Sequence, residues 1–371
     1  MLKVSNSVKA FEERGASELE RLLKRVPRIK LKSLKIGPMQ KDPGFDVQVR
    51  IELDGKQHTL IAEVKTSGQP RYAREAILRL KDIAARSNPP AIPVFIAPFL
   101  TESTRNLCFQ QGVSYLDFEG NARVAFDSVY LEIVSPHRPS SPRREYRSLF
   151  KGRSAKVLRV LLSSPDRIWK LTELAHESNV SIGHVSNVQS SLLDREWAKR
   201  NASGLSLTEP HALLDAWSAA YERPLAAELR FYTTLHGSML EEALRDLFRS
   251  AKETAHLAVA SFSAAQWISP FGRTASQYFY ADEDRLDMLK SSLRLASASK
   301  GENVIIWIPK DRDVYFGSTD RARGIRCTSA LQTYLDLMQG GERGREAADH
   351  LRRSTLPWTY NSSETSVGER L

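Results

Sequence analysis

Residues 171–207 read LTELAHESNVSIGHVSNVQSSLLDREWAKRNASGLSL, and this stretch determines how the chain is interpreted. Apolar residues recur at helical spacing in Leu171–Ser178 and in Ser181–Glu196, where the stripe is Val185, Val188, Leu192 and Leu193. Asn179 and Val180 form a turn between the two segments, and Ser181 is a suitable N-cap. Lys156–Ser163 has the same periodicity. The pattern therefore predicts three consecutive helices.

The residues after the third helix predict a β-hairpin. Lys199–Gly204 has turn composition, and Leu205–Leu207 reads as the returning strand. Three helices followed by a hairpin predict a winged helix-turn-helix over residues 154–210, with double-stranded DNA as the partner. A three-helix packing element without a DNA role, or a protein-docking module, stays open as an alternative.

The predicted DNA contacts combine short polar side chains, which can bond base edges, with cations, which hold phosphates. They are Ser181, His184, Ser186, Asn187 and Gln189 on the third helix, Lys199 and Arg200 in the hairpin, and Arg143 and Arg144 in the preceding linker.

Composition narrows the class of protein. The formal net charge of +10 favours a polyanionic partner. The sequence contains no apolar run long enough to span a bilayer and no signal-peptide core at its start, so no membrane partner is expected. The two cysteines, Cys108 and Cys327, are too few for a disulfide framework, which predicts a cytoplasmic protein.

The chain divides into blocks that predict a multi-domain α/β protein. Residues 1–135 alternate helix and strand, and 136–153 form a linker rich in arginine, proline and serine. After the winged helix, residues 211–355 predict a C-terminal α/β domain. Residues 356–371 are rich in serine and glutamate and predict a disordered tail.

Asp46, Glu63 and Lys65 are candidate catalytic residues in the first block. Asp46 opens one predicted strand and Glu63-Val64-Lys65 ends the next, so Glu63 and Lys65 share a face. This pattern resembles the PD-(D/E)xK nuclease fold, that is, a restriction-endonuclease-like α/β domain. An acid from the first helix, Glu13 or Glu18, is expected to complete such a site.

The resemblance implies a metal only if the site is active. Asp46 and Glu63 would then hold Mg²⁺ through carboxylate oxygens, and Lys65 would orient the attacking water. The alternative is a charged strand end without catalytic activity, in which case no cofactor is expected.

Two further stretches are similar to the AbiEi-type antitoxins of type IV toxin–antitoxin systems. The first is Pro93–Leu100 (PVFIAPFL), followed by Gly112–Asn121 (GVSYLDFEGN). The second is Thr328–Leu351, which contains LQTYLDL and RGREAA. With the winged helix, the resemblance covers roughly residues 45–355. In simpler members the winged helix comes first, whereas here a nuclease-like block precedes it.

This resemblance implies a DNA-binding transcriptional regulator. It would repress its own operon through the winged helix and neutralise a nucleotidyltransferase-type toxin, acting as a homodimer on a two-fold site. The alternative is a Mg²⁺-dependent endodeoxyribonuclease that the winged helix directs to DNA. A third interpretation keeps a degenerate nuclease fold only as a DNA clamp.

Overall fold

The computed structural model describes residues 2–37, 44–135, 148–250, 256–272, 274–297, 301–322 and 324–356. It separates into two compact units, one comprising Met1–Arg147 with Gln189–Lys199 and the other Ser148–Val188 with Arg200–Leu371. Both units combine helices with a mixed sheet, so the predicted mixed α/β architecture is confirmed. None of the helices among these residues is long and apolar enough to cross a bilayer.

The first unit contains a seven-stranded sheet whose strands follow one another in chain order. Neighbouring strands are antiparallel from the first to the third, parallel from the third to the fifth, and again antiparallel from the fifth to the seventh. The strands are β1 (Ile29–Ile36), β2 (Val47–Leu53), β3 (Lys56–Val64), β4 (Ile92–Ala97), β5 (Ser114–Asp117), β6 (Ala122–Phe126) and β7 (Val129–Ile133), and the helices are α1 (Leu2–Leu23), α2 (Pro70–Arg86) and α3 (Glu102–Gln110).

Alternation along β3 explains how helices cover both faces of this sheet. Leu60, Ala62 and Val64 belong to a core shared with α1, whereas Ile61 packs in a cluster with α2. Gly15 lets α1 approach closely, because a Cβ there would lie 3.1 Å from Val64 Cγ2. The sheet is therefore the centre of an α/β sandwich, in agreement with the alternation of helix and strand that the sequence predicts for residues 1–135.

Three helices and a hairpin follow the linker. They are α4 (Gly152–Ser163), α5 (Leu171–Ser178), α6 (Ile182–Asp194), β8 (Ala198–Asn201) and β9 (Gly204–Leu207). Val185, Val188 and Leu192 are buried on α6, as the apolar stripe predicts. Three helices and a hairpin thus follow one another in chain order, and the winged helix-turn-helix itself stays a prediction.

The hairpin is joined to the segment that precedes α5. Trp169 N–H donates to Leu205 O at 2.8 Å, and Leu205 N–H donates to Trp169 O at 2.9 Å. Gly204, at φ +143°, makes this pairing possible, because a Cβ there would lie 2.4 Å from Trp169 O. Asn201 Oδ1 accepts the Ser203 and Gly204 N–H groups and closes the turn.

The second unit also contains a six-stranded mixed sheet, in the order β10-β13-β12-β11-β15-β14. Its apolar core includes Leu257, Phe279 and Ile306. The strands are β10 (Leu225–Phe231), β11 (Leu257–Val259), β12 (Gln277–Ala281), β13 (Val304–Pro309), β14 (Thr319–Ala322) and β15 (Ile325–Cys327), and the helices are α7 (Pro210–Ala220), α8 (Gly237–Ser250), α9 (Ser261–Ile268), α10 (Leu286–Ser292), α11 (Ala330–Met338) and α12 (Gly341–Thr355).

Candidate functional site

Glu63 is a buried carboxylate that two cations contact. Its side chain is 3% exposed, and its Oε1 lies 2.6 Å from Lys65 Nζ and 2.7 Å from Arg79 Nη2. Lys65 directly follows β3, and its side chain lies on the same side as that of Glu63 two residues earlier, as predicted. Arg79 reaches them from α2, which sequence reasoning missed. Glu63 Oε2 has no hydrogen-bond partner within the part of the chain that the structure describes.

Asp46 is held beside the end of β3. Its Oδ2 accepts the Val64 N–H at 2.7 Å, and its own N–H donates to Ala62 O at 2.8 Å. Glu63 lies between Ala62 and Val64 on β3, the two residues that Asp46 contacts. The structure therefore brings the two predicted carboxylate residues to the same end of adjacent strands.

On α1, the charge of Glu12 interacts with that of Asp46. The prediction that Glu13 or Glu18 completes the site stays a prediction. Burial and, second, the negative charge of Asp46 raise the pKa of Glu12 above its usual value. Glu13 is exposed, and Glu18 forms an ion pair with Arg21. Rotation of α1 about its axis, which the sequence does not fix, decides which acid faces the sheet.

The donor chemistry of this cluster fits a magnesium ion held largely by water. Asp46 and Glu63 supply carboxylate oxygens, and Mg²⁺ in proteins is typically bound by one or two carboxylates with several waters. The unpartnered Oε2 of Glu63 is a buried acceptor of the required kind. Among residues with described positions, no group of three or more His, Cys, Asp or Glu could hold a metal.

Three of the predicted base-reading residues lie on the outward side of the third helix. Ser181, Ser186 and Asn187 are exposed, and Val185 and Val188 are buried on the opposite side. Exposed short polar side chains at the start of a helix have the reach and chemistry that base edges require. This part of the surface matches the prediction in exposure.

Two of the predicted residues are more enclosed than expected. Gln189 is 3% exposed, so the prediction that its side chain faces outward is wrong. It lies four residues after Val185, and this spacing places it on the buried side of the helix. His184 is half-buried, and its Nε2 lies 3.0 Å from Ser154 Oγ on α4. One ring nitrogen of His184 is therefore already engaged within the protein.

Two of the four predicted phosphate-binding cations lie among the residues that the structure describes. Lys199 and Arg200 are exposed in β8, and their contact with phosphates stays a prediction. The predicted contacts Arg143 and Arg144 lie outside the residues that the structure describes.

A second buried carboxylate, Asp336, lies in the second unit. It is not among the site residues that the sequence predicts. It is fully buried on α11, and its Oδ1 accepts hydrogen bonds from Tyr280 Oη at 2.8 Å, Gln332 Nε2 at 3.0 Å and Tyr221 Oη at 3.2 Å. Arg223 Nε lies 3.4 Å away. Burial raises the pKa of Asp336 above its usual value. Tyr221, Tyr280 and Arg223 are distant from α11 in the sequence, so spacing within this helix could not identify them as partners of Asp336.

Comparison with known proteins supports the C-terminal family prediction. Residues 206–356 match the family model described as "Transcriptional regulator, AbiEi antitoxin, Type IV TA system". This range contains the Thr328–Leu351 motif, so the predicted similarity to AbiEi-type antitoxins is confirmed for this part of the chain. It does not contain Gly112–Asn121, for which the resemblance stays a prediction. No curated protein matches the sequence.

Two solved structures are similar to part of the chain. "Structure of EndoMS in apo form" has 14% identity over 28% of this chain, with a TM-score of 0.20. "Crystal structure of a repair endonuclease from Pyrococcus abyssi" has 19% identity over 28% of this chain, with a TM-score of 0.19. The chain covers 45% and 46% of those proteins. TM-scores of this size do not establish a shared fold.

Proposed function

We propose that the protein is a cytoplasmic DNA-binding transcriptional regulator that acts as the antitoxin of a type IV toxin–antitoxin system. The match of residues 206–356 to the AbiEi antitoxin family carries this proposal. The net charge of +10 and the two free cysteines agree with a nucleic-acid partner in a reducing compartment. In this function the protein represses its own operon and neutralises a nucleotidyltransferase-type toxin encoded beside it.

The DNA contact is assigned to the winged helix-turn-helix of α4–α6 and the β8–β9 hairpin. Ser186 and Asn187 would read bases in the major groove, while Lys199 and Arg200 hold the phosphate backbone. A homodimer would place two such helices on a two-fold operator.

A gel shift with the protein's own promoter region tests this assignment. Asn187→Ala is expected to weaken promoter binding by about 1–3 kcal/mol and to leave binding to random DNA unchanged. Lys199→Ala is expected to weaken binding to both DNAs equally and to reduce the salt slope by about one unit. Lys35→Ala, at an exposed position on β1, is the matched control. Equal losses on promoter and random DNA for Asn187→Ala would refute base reading.

Toxin neutralisation requires a separate experiment. Co-expression with the neighbouring gene is expected to restore growth that the neighbour alone suppresses. Asn187→Ala is expected to keep this protection while losing repression, because its role is confined to DNA. Loss of protection in a folded Asn187→Ala variant would contradict the separation of the two activities.

The second candidate function is a Mg²⁺-dependent endodeoxyribonuclease, favoured by the contact of Lys65 with the buried, partly unpartnered Glu63. Asp46 and Glu63 would hold the ion, which supplies a Lewis acid and an activated water when bound. Lys65 and Arg79 keep Glu63 Oε1 fixed, which leaves Oε2 for the ion.

Incubation of labelled DNA with Mg²⁺ or Mn²⁺ tests this candidate. Cleavage that requires metal and disappears in Asp46→Asn would support it. Intact DNA in every lane, with retained promoter binding, would remove it and leave the first block as a DNA clamp. Deleting residues 1–135 would then weaken DNA binding without changing any chemistry.

A further inference from the structure

A cavity of about 320 Å³ in the second unit contains a buried cation without a full set of partners. Its walls include the aromatic side chains Phe150, Trp217 and Tyr221, and the cation is Arg159 of α4. The volume is at the small end of the range for ligand pockets, and aromatic walls with a few polar groups are typical of them.

Arg159 is 4% exposed, and only part of its hydrogen-bonding capacity is used. Its Nη2 donates to Gln332 Oε1 at 2.6 Å, and its guanidinium lies 5.4 Å from the centre of the Trp217 ring. Nε and Nη1 have no acceptor among the residues that the structure describes. A guanidinium keeps its charge at all relevant pH values, so burial without acceptors is costly unless something else supplies them.

The charge of Asp313 interacts with that of Arg159, but Asp313 accepts no hydrogen bond from it, because Asp313 Oδ2 has no hydrogen-bond partner among the described residues. Asp313 lines the cavity, but its Oδ1 lies 3.1 Å from Lys156 Nζ. Burial also raises the pKa of Asp313, which reduces its value as a counter-charge. Glu222 pairs with Lys151 at 2.7 Å.

The side chains that line the cavity therefore carry one more positive than negative formal charge. Arg223 pairs with Asp336, and Lys310 is an exposed cation in the wall. Four cationic side chains and three carboxylates line the cavity, namely Lys151, Arg159, Arg223 and Lys310 with Glu222, Asp311 and Asp313.

We propose that this cavity binds a small organic oxyanion, a carboxylate or phosphate carried on a planar body. The oxyanion accepts hydrogen bonds from Arg159, and Lys310 adds long-range attraction. The planar body lies along Trp217 and Phe150, whose rings are 6.0 Å apart and 13° from parallel. Arg159 belongs to α4 and its partner Gln332 to α11, so the ligand contacts two parts of the second unit at once. Binding here does not depend on whether the protein binds DNA.

Three probes of similar shape test the site with the full-length protein. Benzoate and phenyl phosphate carry the two kinds of oxyanion, and benzamide is the neutral match of benzoate. Because Trp217 lines the cavity, intrinsic tryptophan fluorescence reports binding, and the thermal midpoint Tm is an independent readout. At least one anion is expected to bind saturably below about 10 mM, and benzamide is expected to bind at least about tenfold more weakly.

Variants separate Arg159 from general charge effects. Arg159→Gln is expected to weaken the anion at least about tenfold, and Lys310→Gln by about two- to fivefold, since Lys310 is exposed. Lys170→Gln removes an exposed cation that does not line the cavity and should leave the affinity unchanged. Circular dichroism establishes that each variant is folded. If Arg159→Gln does not fold, Lys310→Gln decides.

Three results would each overturn the proposal. The first is benzamide binding as tightly as the better-bound of the two anions, which would show an apolar cavity without anion selectivity. The second is unchanged affinity in folded Arg159→Gln or, failing that variant, in Lys310→Gln. The third is no saturable binding of either anion up to about 10 mM, as expected if water alone satisfies the guanidinium.

Discussion

Glu63 in the first unit and Asp336 in the second are both buried carboxylates, but their partners have opposite character. Glu63 contacts two cations, Lys65 and Arg79, whose side chains are 30% and 41% exposed. Asp336 accepts hydrogen bonds from two tyrosines and a glutamine, with Arg223 as its only contact of opposite charge among the described residues.

The difference shows how burial of an acid can serve chemistry or structure. Partly exposed cations can turn to water or to a substrate, so the Glu63 cluster can change partners at small cost. The tyrosines around Asp336 are buried and lose their acceptor if the acid is removed. We therefore expect Asp336 to contribute mainly to stability and Glu63 mainly to ligand contacts.

Asp336→Ala has the largest expected effect. It removes the shared acceptor of Tyr221, Tyr280 and Gln332 and leaves Arg223 without its carboxylate, so the free energy of unfolding should fall by about 3–5 kcal/mol. Urea unfolding measures this loss of free energy. The control is Asp287→Ala, at a fully exposed side chain. A loss no larger than that of the control would contradict the structural role.

Asp336→Asn keeps the shape and one oxygen, so the expected loss is smaller, about 1–3 kcal/mol. The loss should also depend on pH. Because the pKa of Asp336 is raised in the folded protein, its contribution is complete below the unfolded pKa and declines as pH rises through the folded pKa. The difference between wild type and Asp336→Asn should therefore be largest near about pH 4 and narrow towards neutrality. A gap that widens with pH would contradict this sign.

Glu63→Gln should cost about 1 kcal/mol, since the amide oxygen still accepts from Arg79 and both cations can become hydrated. The same urea measurement applies, with exposed Glu13→Gln as the control. A loss equal to that of Asp336→Ala would remove the distinction between the two carboxylates.

Lys65→Met should have the smallest effect, about 0.2–1 kcal/mol, because Arg79 still neutralises Glu63. The double variant Lys65→Met, Arg79→Met should lose more than the sum of the single losses, since only then is the buried carboxylate left unpaired. Lys35→Met is the matched surface control. Strict additivity would show that the two cations act independently.

The sequence predicted best where the pattern is local. The helices α5 and α6 and the hairpin after them follow from period and turn residues alone. The edge strand β1 was missed because its alternation of lysine and apolar residues is interrupted, and the structure has a register shift between Leu31 and Ser33. The edge strand β10 was missed because it is mostly exposed and lacks an apolar run.

The candidate sites show the same limit. Pairing of Glu63 with Lys65 is a consequence of period 2 and was predictable. Arg79 and Glu12 come from helices whose rotation depends on tertiary packing, so spacing alone could not select them. Gln189 lies at the border between the polar and apolar sides of its helix, where composition favours exposure and helical phase decides otherwise.

The backbone pairing of Trp169 with Leu205 has a mechanical consequence for the hairpin. A hairpin attached only at its base can swing, whereas this one is fastened to the residues immediately before α5 by two hydrogen bonds. The two hydrogen bonds therefore limit how far Leu205 can move away from the residues before α5. Gly204 permits this pairing. Gly204→Ala would place a methyl group against Trp169 O and is therefore expected to break the pairing and make the hairpin more mobile.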